Sequence, residues 1–208
     1  MSPFLNRSQK ILKDTIAFAK VERFIAVLLI SLPIILRWYD YTESGFRPSI
    51  SNYVYMCDSY VFGALISLAA ALFIFNGALY FEGSHGSKKG RWYNIFLGVF
   101  LFGVLFFPHL QFSTIHYIFA GLFYAGAAAI MPIYCVPEKR VFAYLLATIT
   151  LGSVALYFIL KLFPEVSFTK NYTLLIAEWI GLTAIAIHFV LRSFDTDGDW
   201  GLEEKDEC

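Results

Sequence analysis

SYVFGALISLAAALFIFNGALYF, residues 59–81, contains no charged side chain. A helix needs roughly 20 apolar residues to cross the hydrocarbon of a bilayer. In lipid every backbone N–H and C=O has to be satisfied within the spanning structure, and a helix does this within its own segment. The run therefore reads as a transmembrane α-helix. The rest of the composition agrees. Of 208 residues 58% are hydrophobic and 15% charged, with a mean hydropathy of +0.62. A soluble domain carries about 25% charged residues. A domain of this size also leaves about a quarter to a third of its extended surface exposed, so a chain this apolar needs lipid as solvent.

Working outward from this run, five more candidates appear: Phe24–Tyr39, Trp92–Phe107, Ser113–Tyr134, Val141–Leu162 and Tyr172–Ser193. The expected fold is all-α, a polytopic bundle of six transmembrane helices. The first and third runs are short and are expected to extend by about a turn into their flanks. Pro33 lies inside the first, where membrane helices tolerate it. The aromatic third run, FLGVFLFGVLFF, is expected to face lipid. Small residues of the fourth and fifth, Gly121 and Gly152 among them, are expected to bring those two helices close together.

Charge sets the orientation. With the N-terminus inside, Arg37, Arg47, Lys161 and Lys170 fall outside and the other twelve of the 16 Lys and Arg fall inside. This is a strong positive-inside bias, and six spans with both termini cytoplasmic satisfy it. The predicted location is the plasma (inner) membrane. Residues 1–23 alternate Leu5, Leu12, Ile16 and Ala19 with Lys10, Lys13, Asp14 and Lys20, as an amphipathic helix in the cytoplasmic interface would. The plainer alternative is an extension of the first span. Residues 24–194 then form the membrane domain and 195–208 an acidic tail. Zero net charge speaks against nucleic acid. Cys57, Cys135 and Cys208 are too dispersed for a disulfide framework or a thiolate metal site. Asp195, Asp197 and Asp199 have calcium-loop spacing, but Trp200 stands where that loop needs glycine.

Depth sorts the polar residues into two layers. The outer one contains Arg47, Ser49, Ser51, Tyr53, Asp58, His109, His116 and Glu178. Glu178 lies ~10 Å and His116 ~5 Å below their helix starts. Ionisable groups at such depth are costly and tend to face partners or water. A Glu beside a His forms a proton-sharing pair. With His109, the same pair is a candidate zinc site, with three ligands and one open position. Asp58 is a candidate ligand or acid/base, and Ser51 a headgroup donor. The structural alternatives are helix capping by Ser49, Ser51 or Asn52 and a hydrogen-bond clamp at Glu178. The inner layer looks thinner. Asn76 is near its helix end, while His188 and Arg192 are expected to snorkel to the interface. Trp179 reads as part of an aromatic belt.

SISNYVY before the second span, HYIFAGLFYAGAA opening the fourth and AEWIG in the sixth together resemble the six-span FRAG/DRAM/SFK superfamily and related bacterial families of unknown function. The resemblance covers roughly Phe24 to Asp195 and rests on Ser49, Ile50, Ser51, Tyr53, Tyr55, His116, Glu178 and Trp179. It implies a membrane protein that handles lipid. Ser51, Asp58, His109, His116 and His188 also supply the residue types of zinc-dependent membrane hydrolases of the alkaline-ceramidase type. The paired histidines of a late span in that group are absent here. Three functions follow as expectations: a lipid-binding bundle with an outer-leaflet polar pocket, a metal-dependent lipid hydrolase, and a non-catalytic subunit that packs on other membrane chains or on a second copy.

Overall fold

The computed structural model describes residues 3–82, 91–133, 135, 139–163 and 172–198. Lys88, Lys89, Asn171 and the tail from residue 199 lie outside the described residues. Six α-helices are present: α1 Pro3–Tyr39, α2 Ser59–Glu82, α3 Asn94–Phe106, α4 Ser113–Ile133, α5 Arg140–Lys161 and α6 Leu174–Gly198. Among the described residues there is no strand.

Helix α1 begins on Pro3, a residue suited to the first helical turn. No glycine or further proline follows until Pro33, so nothing interrupts the helix at residue 23. The N-terminal segment and the first apolar run are one continuous helix. Four helices, α2, α4, α5 and α6, are long and apolar enough to cross a membrane. Helix α3 has 13 residues, about 20 Å at 1.5 Å per residue, and is preceded by a 3₁₀ turn at Arg91–Tyr93.

Each helix packs on its neighbours in the chain, and α1 closes the ring by packing along α6. Two hydrogen bonds fasten that closure. Pro33 cannot donate to the carbonyl one turn back, which loosens the ladder there. Near this point the Trp179 indole N–H donates to the carbonyl of Ile30 at 3.0 Å. Trp179 is therefore a clamp between helices rather than a belt residue. At the other end, Arg23 Nε donates to Ser193 Oγ at 3.0 Å. Midway along the bundle, the Phe73 ring meets Phe123 and Phe189 edge-on at 5.7 and 5.4 Å, tying α2, α4 and α6 together.

Helix α3 departs from the expectation of a lipid-facing span. A Cβ on Gly98 would stand 2.5 Å from the carbonyl oxygen of Ala70, and one on Gly103 would meet the Phe119 ring. The glycine face of α3 is thus packed tightly on α2 and α4, while Phe96 and Phe106 point outward. Conversely, Gly121 and Gly152 have open space beside them. Helices α4 and α5 do pack on each other, and Ala127, Ala128 and Ala143 are buried.

Candidate functional site

The segment between α1 and α2 is held by a buried ion pair. Arg47 Nε reaches Asp40 Oδ2 at 2.5 Å, and its NH2 group reaches Oδ1 at 3.3 Å. The Thr42 hydroxyl donates to the same Oδ1 at 2.6 Å, and Arg37 donates to the Asp40 carbonyl at 2.6 Å. Asp40 is only 1% exposed. Burial alone would raise its carboxyl, but the bonds from Arg47 and Thr42 outweigh it and hold the group below the ordinary 3.8. Arg47 also lies over the ring of Tyr53, 5.9 Å from the centroid, and its backbone N–H donates to the Tyr53 hydroxyl at 3.4 Å. Arg47 and Tyr53, expected at a ligand, are engaged in shaping the loop. Asp40, which the sequence reading missed, is their anchor. Its signal was an acid directly after the first span with an arginine seven residues on.

The shaped loop lies across the start of α6. The Leu175 N–H donates to the carbonyl of Pro48 at 2.7 Å, and Thr173 caps the helix through its hydroxyl to Ile176 N–H at 3.3 Å. The Ile50 N–H then donates to Glu178 Oε2 at 2.6 Å. Ser49 and Ser51 share a hydrogen bond at 3.0 Å, and Ser49 Oγ accepts from Asn52 N–H at 3.2 Å. The stretch Ser49–Tyr53 is thus a wall pinned to α6, capped by its own serines.

Behind this wall is a cavity with about 50 Å³ of room for water centres. Ser51, His116, Tyr124 and Glu178 supply its polar groups. Most of its lining is apolar, with Leu32, Ile66, Leu101, Phe123 and Leu182. The Tyr124 hydroxyl donates to the Glu178 backbone carbonyl at 3.2 Å. His116 is buried, and its Nδ1 lies 2.8 Å from the carbonyl of Phe107. A carbonyl only accepts, so Nδ1 carries the proton.

Three expected members stand apart. Asp58 is not in the cavity wall. It follows the exposed Cys57, and its carbonyl accepts from Val61 N–H at the start of α2. His109 sits in the turn between α3 and α4, with its ring 5.7 Å from His116 and edge-on to Tyr55 at 5.4 Å. Burial first, and the neighbouring His116 second, hold its imidazole below the ordinary 6.5. Ser49 backs the wall through its bond to Ser51 without lining the cavity. Among the described residues no three His, Cys, Asp or Glu side chains come together as a metal would require. His109, His116 and Glu178 are thus not gathered into one such group. One nitrogen of His116 and one oxygen of Glu178 are already engaged by backbone groups.

The opposite end of the bundle holds a second polar layer, richer than expected. Glu22 of α1, Asn76 of α2, Asn94 of α3 and His188, Arg192 and Ser193 of α6 are all buried. Arg192 is 4% exposed and donates to the Tyr93 hydroxyl at 2.5 Å. Asn94 Nδ2 donates to Asn76 Oδ1 at 2.6 Å. His188 and Arg192 do not snorkel outward, because their face of α6 is covered by its neighbours.

Residues 31–193 match the model of DUF7103, a family of unknown function. The chain belongs to this family. No curated protein and no solved structure matches it. The family match spans the ring from the end of α1 to Ser193 and includes the Ser49–Tyr53 wall, His116 and Glu178.

Proposed function

We propose that this DUF7103 protein is a six-span membrane protein that holds a lipid in a pocket opening at the outer leaflet. The observation that carries the reading is the cavity itself, lined mostly by apolar side chains such as Leu32, Leu101 and Phe123, with Ser51, His116 and Glu178 among its lining residues. Ligand sites are mostly apolar concavities with a few polar groups, and the largely apolar lining here matches a lipid chain. The positive-inside bias puts the Ser51 end outside and the Arg192 end in the cytoplasm. In that arrangement α1 and α3 complete the six spans, and the N-terminal part of α1 lies at the cytoplasmic interface. The resemblance to the FRAG/DRAM/SFK superfamily supports the same reading, since its members are linked to lipid handling.

Lipid retained by the protein tests this proposal. Purified wild type and Glu178→Gln, in nanodiscs of one defined lipid mixture, would be washed and extracted. The proposal expects one lipid class enriched on wild type and reduced at least about tenfold on the variant. Equal and unselective lipid on both would contradict it.

A further inference from the structure

We propose that the turn between α3 and α4 is a pH-sensitive latch. Neutral His109 holds the turn against the Ser51–Tyr55 wall, and protonation of His109 releases it and opens an edge of the cavity. The proposal goes beyond the lipid reading and does not depend on what the cavity holds.

Helix α3 ends at Phe106 and α4 begins at Ser113. Between them the Pro108 carbonyl accepts from the N–H groups of Gln111 and Phe112 at 3.1 and 2.9 Å, which makes a tight turn. This turn meets the wall at Tyr55. The Leu110 N–H donates to the Tyr55 hydroxyl at 3.0 Å, and the His109 ring stands edge-on to the Tyr55 ring. The cavity reaches this seam. Val104 and His116, on either side of the turn, line it together with Ser51 of the wall.

The closed seam suits only the neutral form of His109. Its Nδ1 is buried and, among the described residues, has no hydrogen-bond partner. A neutral imidazole can keep its one proton on Nε2 and leave Nδ1 bare. An imidazolium has an N–H at both nitrogens, so protonation puts a donor and a charge where no acceptor waits. Two titratable side chains face the ring, Tyr55 from the wall and His116 from α4, and neither is a carboxylate. His116 is held in place by the carbonyls of Phe107 and Val104 and by the edge-on ring of Tyr117. Burial first and His116 second hold the His109 imidazole below the ordinary 6.5, and no carboxylate offsets them. Once the turn swings into water, the ring takes up its proton without these costs. The closed seam is therefore favoured above 6.5 and lost as the pH falls through the lower value of the closed state.

Hydrogen exchange of the full chain in nanodiscs tests the latch. Rates for peptides covering 50–56 and 107–113 are divided by the intrinsic rates at each pH. Between about pH 7.5 and about pH 5 the wild type is expected to lose protection at least about fivefold in both peptides, with α5 unchanged. In His109→Gln the loss should vanish, because an amide does not titrate. Imidazole NMR of the wild type adds a reading that needs no variant, since the His109 midpoint should coincide with the loss of protection. Unchanged protection in the wild type would overturn the proposal. So would an equal loss in a folded His109→Gln protein, or a midpoint of loss different from that of His109.

Discussion

At the scale of the residue, the wall around the cavity depends on Asp40. Its side chain is buried and charge-paired, so removing the partner strands a carboxylate. Arg47→Met is expected to cost about 3 kcal/mol, seen as a lower thermal midpoint. The Asp40 carboxyl is held below 3.8, so its contribution is present above that pH and is lost only as the pH falls through the lower folded value. His109 behaves as a base with the opposite burden. Its folded value lies below 6.5, so on acidification the unfolded chain takes up a proton that the folded protein refuses. Stability is expected to be full above 6.5 and to decline as the pH drops below it. In His109→Gln that part of the slope should vanish. Glu178 and His116 were legible in the sequence because an acid or a histidine inside an apolar run has to be accommodated somewhere, and helical rise gives its depth. The Asp40–Arg47 pair was not, because it exists only once the loop has folded back on itself. Zinc was suggested by residue types alone, and type says nothing about which nitrogen or oxygen is already committed to the backbone.

At the scale of the element, the boundaries of α2 to α5 followed the apolar runs closely, because length and the absence of charge decide them, whereas α1 begins at Pro3, well before its apolar run at Phe24. Which face of each helix meets a neighbour was read less well. Helix α3 looked lipid-facing from its phenylalanines, yet its glycines make the closest contacts. Arg192 and His188 looked like snorkelling residues, yet α6 turns them into the bundle. The Asn76–Asn94 bond between α2 and α3 is the simplest probe of that second polar layer. Both side chains are 0% exposed, and Asn76 Nδ2 and Asn94 Oδ1 have no hydrogen-bond partner. Asn94→Ala removes the one bond to Asn76 Oδ1 and is expected to cost about 1–3 kcal/mol. Replacing both by Leu should recover most of that, because no buried polar group is left stranded. A double-mutant cycle with chemical or thermal unfolding measures the difference.

At the scale of the whole molecule, α1 and α6 close a ring whose two ends differ in chemistry. The Ser51 end encloses a cavity with a mostly apolar lining. The Arg192 end encloses a polar layer bound across four helices, and the rings of Phe73, Phe123 and Phe189 stand between the two. We propose that the cavity is where the bundle holds a lipid. The most direct test fills the cavity while leaving its polar groups in place. Ala120 lines the cavity, and Ala120→Phe would add bulk there while leaving Ser51, His116 and Glu178 unsubstituted. Native mass spectrometry of wild type and Ala120→Phe, released from the same lipid mixture, reads the bound lipid directly. The account predicts a discrete lipid adduct on the wild type that is absent from a folded Ala120→Phe protein. The same adduct at the same occupancy on both would contradict it.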